Sequence, residues 1–418
     1  MTDVAHVEAL RRAYPGVLGK LLRFAGSLAD AEDALHDAVV RALSTWPTAG
    51  LPDSPEAWLV TVAQNAHRDR ERRRRRAYPS GDALEALARA SPWARIAAAN
   101  REGMHGVDDD LLRLLFTCCH PALEDGESAA LALATVVGLS NAEVARAFVV
   151  APRSMEQRLT RARKRLREKG DVEGTTAEQA RARLPAVLRV VHLLFNEGYW
   201  SADDANPIRA DLCRLALGLA GSVAVTYSDE PEAAGLLALL VFHEARRGAR
   251  LDRNGAPVPL PAQDRSRWDR SAIARATSLL EHAVGRGRPG AFQAEAAIAA
   301  VHCRAASPDA TEWGEIASLY AVLERFRPTP AVRVNRAFAL GRARGAKEGL
   351  DLLAESDVDT ASYPYVHLVR GALLAEANEP ELALRALREA ARAARNRHER
   401  DQIEARMRAL EAESRATR

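Results

Sequence analysis

The chain is poor in the features that mark secreted, membrane-spanning and metal-binding proteins. It has 4 cysteines among 418 residues, and aromatic side chains make up only 5% of it. Cys118 and Cys119 are adjacent, whereas Cys213 and Cys303 are isolated, which fits neither a disulfide framework nor the spaced pairs of a zinc site. No run reaches about 18 apolar residues, the length of a membrane helix, and the first residues lack the apolar centre of a signal peptide. We therefore expect a reduced, cytoplasmic protein without a metal, a cofactor or a membrane segment.

Motifs of catalysis are also missing. The sequence contains no glycine-rich phosphate loop, no His-Glu-x-x-His pair and no ordered nucleophile, base and acid. Runs of β-branched residues are scarce, whereas alanine, leucine and arginine dominate, so the predicted fold class is all-α. The length allows about two to four domains. These observations predict a helical protein that is not an enzyme.

The small positive charge is unevenly placed. The whole net charge of +3 lies in the part of the chain that ends at Gly170, and the remainder of the chain is balanced. Two segments carry the excess: the unbroken arginine run 72–76, and the segment 153–169, which holds eight Arg or Lys. Such local runs favour contact with a polyanion, because bound cations release counterions from phosphates.

The segment 138–167 predicts a helix-turn-helix. Ser140 and Glu143 have the spacing of a capping box, and Pro152 suits the first turn of the next helix. That helix has a single apolar stripe and is otherwise basic; the stripe consists of Met155, Leu159, Ala162 and Leu166. The second helix of such a unit enters a DNA major groove. The alternative interpretation is a solvated basic amphipathic helix.

Three further helices precede this unit, and the second and third have contrasting polar faces. We expect one helix over 7–24 and a second one that Asp30 caps, followed by a loop from Pro47 to Pro55. The second helix has a charged outer face, which a partner or only solvent could cover; it carries Glu32, Asp33, Asp37 and Arg41. Ser54 is expected to cap a third helix, which changes from apolar to basic along its length and bears Trp58, Asn65, Arg68, Arg72 and Arg73.

The C-terminal half is predicted to be a long array of helices. It follows a short polar linker after residue 169 and includes a helix corner at Phe195–Trp200, which is interpreted as a packed corner or as a partner contact. In the last third, apolar positions recur at a constant interval, for example at Ile298, Val332 and Val366. Helix pairs with this period, about 34 residues, are typical of tetratricopeptide (TPR) repeats. Their tryptophan and tyrosine positions are poorly filled here, so we describe the array as TPR-like.

Together these segments resemble a known family. Residues 7–168 resemble sigma factors of the sigma-70 family, extracytoplasmic-function (ECF) type. Residues 31–43, AEDALHDAVVRAL, follow the family pattern AEDLVQETFLRAW, with His36 where glutamine is frequent. Pro55, Trp58 and Asn65 fall in register with the next family helix, and 138–166 with the last one. The segments LRLLFTCCHPAL and HLLFNEGYW resemble a subgroup that has a TPR-containing C-terminal extension.

The resemblance implies a division of the chain and a set of partners. Residues 1–76 would form the region 2 domain, 77–107 a linker with helical pieces near 82–89 and 92–100, 108–169 the region 4 domain, and 176–418 the TPR-like extension. The partners would be the clamp of core RNA polymerase and promoter DNA. A protein, a peptide or the chain's own sigma domains would occupy the TPR-like surface.

The resemblance also implies roles for individual residues. Polymerase would contact Glu32, Asp33, Asp37 and Arg41. The −10 promoter element would contact Trp58, Asn65, Arg68, Arg72 and Arg73. Base edges of the −35 element would contact Arg153, Ser154, Gln157 and Arg158, while Arg161 and Lys164 would contact phosphates. We thus expect a sigma factor whose extension regulates its activity. The alternative is a TPR-containing DNA-binding regulator that acts without polymerase.

Overall fold

The computed structural model describes residues 4–77, 109–148, 150–169, 177–199, 208–253, 255–356, 358–360, 363–394 and 397–416. Over these ranges the regular structure is helical, apart from one isolated antiparallel bridge between Leu251 and Pro257. None of the helices in these ranges is both long and apolar enough to cross a membrane. The chain separates into two compact units, Met1–Tyr199 with Ala210–Thr226, and Trp200–Arg209 with Tyr227–Arg418.

The first unit contains nine described helices. They are α1 (Val4–Ala25), α2 (Leu28–Ala49), α3 (Pro55–Ala77), α4 (Asp109–Cys118), α5 (Asp125–Thr135), α6 (Asn141–Ala147), α7 (Pro152–Lys169), α8 (Ala177–Tyr199) and α9 (Ala210–Thr226). The helical pieces that the sequence suggests near 82–89 and 92–100 lie outside the described residues. Helices α1, α2 and α3 form a bundle around leucines that are completely buried, among them Leu18, Leu35 and Leu59.

The start of α2 differs from the expected one. Ser27, rather than Asp30, is the N-cap, and its hydroxyl accepts a hydrogen bond from the Asp30 backbone N–H at 3.0 Å. Ser27 Oγ in turn donates to the Asp30 carboxylate at 2.7 Å. Both residues are good capping types, so the sequence admits either start. The helix therefore begins three residues earlier and includes the buried Leu28.

The end of α2 is also later than the sequence suggested. The expected loop from Pro47 to Pro55 is shorter, because the helix continues through Pro47 to Ala49. The reason is the packing of Trp46, which is buried and meets the Trp58 ring edge-on at a centroid distance of 5.5 Å. Burial of an aromatic side chain contributes enough free energy to outweigh a proline near a helix end. The predicted Ser54 cap is confirmed, since the Ala57 N–H donates to its hydroxyl at 3.3 Å.

The helix-turn-helix has the predicted form. The Ser140–Glu143 capping box is present in both directions, with the Ser140 N–H donating to the Glu143 carboxylate at 2.8 Å. The apolar stripe of α7 is buried throughout: Met155, Leu159, Ala162 and Leu166 are at most 1% exposed. This stripe fixes the rotation of α7, so the opposite side of the helix faces outward.

The four-helix segment α4–α7 is joined closely to both its neighbours in the unit. A Cβ placed on Gly19 of α1 would lie 3.0 Å from the Asp110 carbonyl, so glycine permits this close approach of α1 to α4. On the other side, Arg183 of α8 is buried and donates to the Phe116 carbonyl of α4 at 3.3 Å. Arg189 pairs with Asp125 at 2.7 Å. Helix α8 thus packs on the helix-turn-helix region, although the sequence placed it in a separate extension.

The Phe195–Trp200 segment is helical as far as it is described. Helix α8 continues to Tyr199, and the Phe195 and Tyr199 rings stack at 5.4 Å. The buried Cys118 lies in the same unit, with its sulfur 3.0 Å from the Thr135 hydroxyl. All four cysteines are free thiols, and all are buried.

The second unit also contains nine described helices. They are α10 (Pro231–Ala245), α11 (Arg270–Gly285), α12 (Ala291–Arg304), α13 (Trp313–Phe326), α14 (Pro330–Arg344), α15 (Ala346–Glu355), α16 (Tyr365–Glu376), α17 (Pro380–Arg392) and α18 (Arg397–Ala416). The loop between α10 and α11 contains short 3-10 turns.

The repeat period of the sequence has a structural counterpart in this unit. Ile298, Val332 and Val366 are all buried. A Cβ on Gly349 would lie 2.7 Å from the Ala337 carbonyl, and one on Gly371 would lie 3.3 Å from the Ala383 carbonyl. Gly371 lies 34 residues after Ala337, and Ala383 lies 34 residues after Gly349. The glycine and the alanine therefore occupy the same two repeat positions, in opposite order. Small residues at the same repeat positions therefore allow α14 to approach α15, and α16 to approach α17.

Candidate nucleic-acid and partner interfaces

Helix α7 presents most of its predicted DNA-binding residues outward. Five of the six are exposed: Arg153, Ser154, Gln157, Arg161 and Lys164. Lys164 is within 3.7 Å of the exposed Glu168 one turn later, and such a solvent-exposed pair is weak enough to yield to a phosphate. The exposed side of α7 can therefore offer both hydrogen-bonding groups and cations to DNA.

Arg158 differs from these five because it is half-buried. Its guanidinium lies over the Phe148 ring at 5.6 Å from the centroid, where a cation–π contact is favourable. Phe148 is the residue that ends α6. Arg158 is thus held against the turn of the helix-turn-helix, and this contact limits the orientations in which it could reach a base.

Two arginines of α7 pair with carboxylates of other helices in the unit, and the sequence reasoning missed both. Arg165 pairs with the buried Glu127 of α5 at 2.6 Å. Arg163 Nε lies 2.9 and 3.1 Å from the two carboxylate oxygens of Glu32 on α2. Their side chains alternate with outward-facing cations along one basic helix, so no sequence signal separates them from the DNA-binding set.

The charged face of α2 is only partly free. Glu32 is 17% exposed because Arg163 covers it. Asp33 and Asp37 remain 61% and 45% exposed, and they share Arg70 of α3, which lies 2.6 Å from Asp37. Arg41 is exposed. The structure therefore places Asp33, Asp37 and Arg41 at the surface and Glu32 in a contact between helices.

The predicted residues of α3 lie along one helix, partly stacked on aromatic rings. Trp58 is half-buried against Trp46, and Asn65 is exposed. Arg68 is also near a ring, since its guanidinium lies over Phe24, 5.3 Å from the centroid. The backbones of Arg72 and Arg73 belong to α3, whereas their side chains lie outside the described residues.

Two ionisable groups beside these helices have shifted pKa values. Burial alone would raise the pKa of Glu143, but hydrogen bonds from Ser140 and the Arg11 guanidinium lower it to about 2. Burial, with the negative charge of Glu32, raises the pKa of Tyr14 to about 12, although Arg163 opposes the shift. Glu143 is therefore an anion and Tyr14 a neutral phenol at physiological pH. Glu143 lies where α1 meets the helix-turn-helix region. Tyr14 of α1 lies close to the pair formed by Glu32 of α2 and Arg163 of α7.

Comparisons with known proteins match three parts of the chain. Residues 9–77 match sigma-70 region 2, residues 113–166 match sigma-70 region 4, and residues 183–284 match a family of unknown function, DUF6596. The chain is similar to the uncharacterized protein R00370 of Rhizobium meliloti (strain 1021), with 41% identity over 378 residues, which cover 90% of this chain and 88% of that protein. No solved structure matches the chain.

These matches and the helical domains that carry them define a transcription initiation protein. The chain belongs to the sigma-70 family and has a helical C-terminal extension. Its role is in promoter-directed transcription, with core RNA polymerase and promoter DNA as its partners. Because the matched regions include region 2 as well as region 4, the alternative of a DNA-binding regulator that acts without polymerase gains no support from the comparisons.

Proposed function

We propose that the chain is a cytoplasmic ECF-type sigma factor whose TPR-like extension regulates its activity in cis. The observation that carries the proposal is the exposure of opposite charges on two helices whose rotation is fixed by buried stripes. Helix α2 offers Asp33 and Asp37, and α7 offers Arg153 and Arg161. An acidic face suits basic polymerase helices, and a basic face suits DNA phosphates.

In this proposal the two promoter elements bind to different helices. Helix α3 binds the −10 element, with Asn65 and Arg68 facing the separated strand and the Trp58 region close to an unstacked base. Helix α7 lies in the major groove of the −35 element. Residues near its N-terminus, Arg153 and Gln157, contact base edges, while Lys164 contacts a phosphate.

The polymerase assignment is tested by charge reversal on α2. The variant D33K/D37K should fail to copurify with core polymerase and should lose promoter-dependent run-off transcription, because like charges then face the clamp. The matched control E8K/E348K makes the same change of charge at two exposed glutamates outside α2. Equal polymerase binding by both variants would contradict the assignment.

The regulatory assignment is tested by removing the second unit. Run-off transcription by residues 1–226 should differ from that by the full chain, because the first unit is then released from any control in cis. The fragment ends after α9 so that α8 and its contacts with Phe116 and Asp125 are kept. Identical rates on the same promoters would refute regulation in cis.

A further inference from the structure

A basic groove lies on the last helix pairs of the second unit, between α16 and α17. It is open to solvent and has a volume of about 680 Å³, within the range of roughly 300–1,000 Å³ that is usual for ligand clefts. Three apolar residues line it: Leu374, Leu382 and Ala386. The polar lining consists of His367, Arg370, Arg385, Arg388, Glu389 and Arg392.

Of the four arginines that line this groove, only one is neutralised by a carboxylate in the part of the chain that the structure describes. Glu389 pairs with Arg392 at 2.7 Å. Across the part of the chain that the structure describes, Arg370, Arg385 and Arg388 have no carboxylate within ion-pair distance. Burial, followed by the charge of Arg370, lowers the pKa of His367. Its imidazole is therefore neutral near pH 7, and the guanidinium groups carry the positive charge.

The preceding repeat pairs the equivalent arginine with a carboxylate. Arg333 and Arg336 of α14 both bind Glu324 of α13, at 3.2 and 2.8 Å. One repeat period later, the corresponding positions hold His367, Arg370 and Val358. Val358 packs into an apolar cluster and cannot accept a hydrogen bond from a guanidinium.

The same arginine is thus paired within one repeat and left open in the next. An external anion can therefore take the place of the missing carboxylate.

The shape and lining of the groove favour a polypeptide over DNA. His367, Arg370 and Leu374 form one stripe along α16, and Arg385, Arg388 and Arg392 form another along α17. The two ends of each stripe are two helical turns apart, which is about 10 Å along the helix axis. Leu382 is 44% exposed beside these cations. A duplex backbone would satisfy the arginines but would leave the leucines in contact with charged phosphates and water, whereas a protein segment can supply both carboxylates and an apolar side chain.

We propose that the groove between α16 and α17 binds an acidic segment of a separate protein that also carries an apolar anchor residue. Carboxylates of the segment form charge-assisted pairs with Arg370, Arg385 and Arg388. The anchor side chain packs on Leu374 and Leu382. The inference rests on the proposed regulatory role of the extension, because the bound segment would act through it. Binding itself can be tested without that role.

The test is a binding titration with the full chain and no polymerase, so that its failure differs from a failure of the sigma assignment. The probe is the labelled peptide EELLEELLEELL at about 0.1 M salt, where screening between exposed charges is moderate, followed by fluorescence anisotropy. R385Q/R388Q should weaken binding about fivefold to tenfold, as expected for the loss of two partly exposed ion pairs. The matched control R325Q/R344Q removes two exposed arginines of the same unit outside the groove and should bind as the parent does.

Two further probes separate the ligand classes. The peptide EESSEESSEESS keeps the charge but lacks the anchor, and it should bind more weakly than the leucine peptide. A labelled DNA duplex of unrelated sequence should bind equally to R385Q/R388Q and to R325Q/R344Q, because the proposed DNA contacts lie in the first unit. The proposal is overturned if the leucine peptide does not bind, or if both double variants weaken its binding equally. It is also overturned if R385Q/R388Q loses affinity for the duplex while R325Q/R344Q keeps it.

Discussion

The contact between Arg163 and Glu32 leads to a quantitative prediction about polymerase binding. It joins the helix assigned to the −35 element to the helix assigned to polymerase, and it covers one of the acidic residues of α2. Region 2 can present its whole acidic face only when this contact opens.

The size of the effect follows from the burial of the pair. Hydrogen bonds to charged groups contribute about 1.5–3 kcal/mol when buried, and exposed ion pairs about 0.2–1 kcal/mol. Arg163 is 33% exposed and Glu32 is 17% exposed, so a value between these limits, about 1–1.5 kcal/mol, is reasonable. That free energy corresponds to about a tenfold change in an equilibrium constant.

The perturbation is R163Q, and the expected result is tighter binding to core polymerase in the absence of DNA. If the closed arrangement dominates, weakening it tenfold raises the binding-competent fraction, and with it the apparent affinity, by up to about tenfold. The assay is an anisotropy titration of labelled full-length protein with core polymerase. R163K, which keeps the charge but changes the geometry, should lie between the parent and R163Q.

The matched control is R161Q, which removes an exposed cation from the same helix without touching Glu32. It should leave polymerase affinity unchanged. If R163Q binds polymerase no more tightly than R161Q does, or more weakly than the parent, the contact does not limit access to α2 and the reasoning is refuted. Thermal unfolding of each variant establishes that the titrated protein is folded.

The first unit supports three more predictions. A fragment that ends at residue 169 should unfold at a lower temperature than one that ends at residue 226, because it loses α8, which packs on α4 and α5; equal melting temperatures would contradict this. Above pH about 4.5 the charged Glu143 stabilises the fold, and this contribution is lost as the pH falls toward 2, so the stability difference between the parent and E143Q should shrink over that interval in urea titrations at stepped pH. R158A should relax promoter choice in competition binding, whereas K164A should weaken all DNA alike and reduce the salt slope by about one unit; an equal loss on all DNA from both changes would count against these assignments.

Local patterns in the sequence were sufficient for the elements that hold the site. The Ser140–Glu143 box and the stripe from Met155 to Leu166 depend on neighbours within a few residues, so spacing alone predicts them. The same reasoning failed at the end of α2. Pro47 indicated a loop, but the packing of Trp46 against Trp58 is a tertiary contact that spacing does not reveal.

The functional roles of the cations were less predictable than their positions. Arg161, Arg163 and Lys164 are nearly adjacent in the sequence, and all suit DNA equally well. Only the position of Glu32 on another helix separates Arg163 from its neighbours. A partner so distant in the sequence, 131 residues away, gives no periodic or motif signal. Sequence reasoning therefore identified a basic helix but could not divide it into inward and outward residues.

The division of the chain into units has a consequence for the extension. The match to the family of unknown function covers residues 183–284, whereas the first unit ends at Thr226. That matched segment therefore contributes most of α8 and all of α9 to the first unit, and α10 and α11 to the second unit. Because Arg183 donates to the Phe116 carbonyl beside the helix-turn-helix region, the beginning of the extension is part of the structure that supports α7. Any influence of the second unit on transcription therefore has a covalent route into the first unit, through the chain that follows α9.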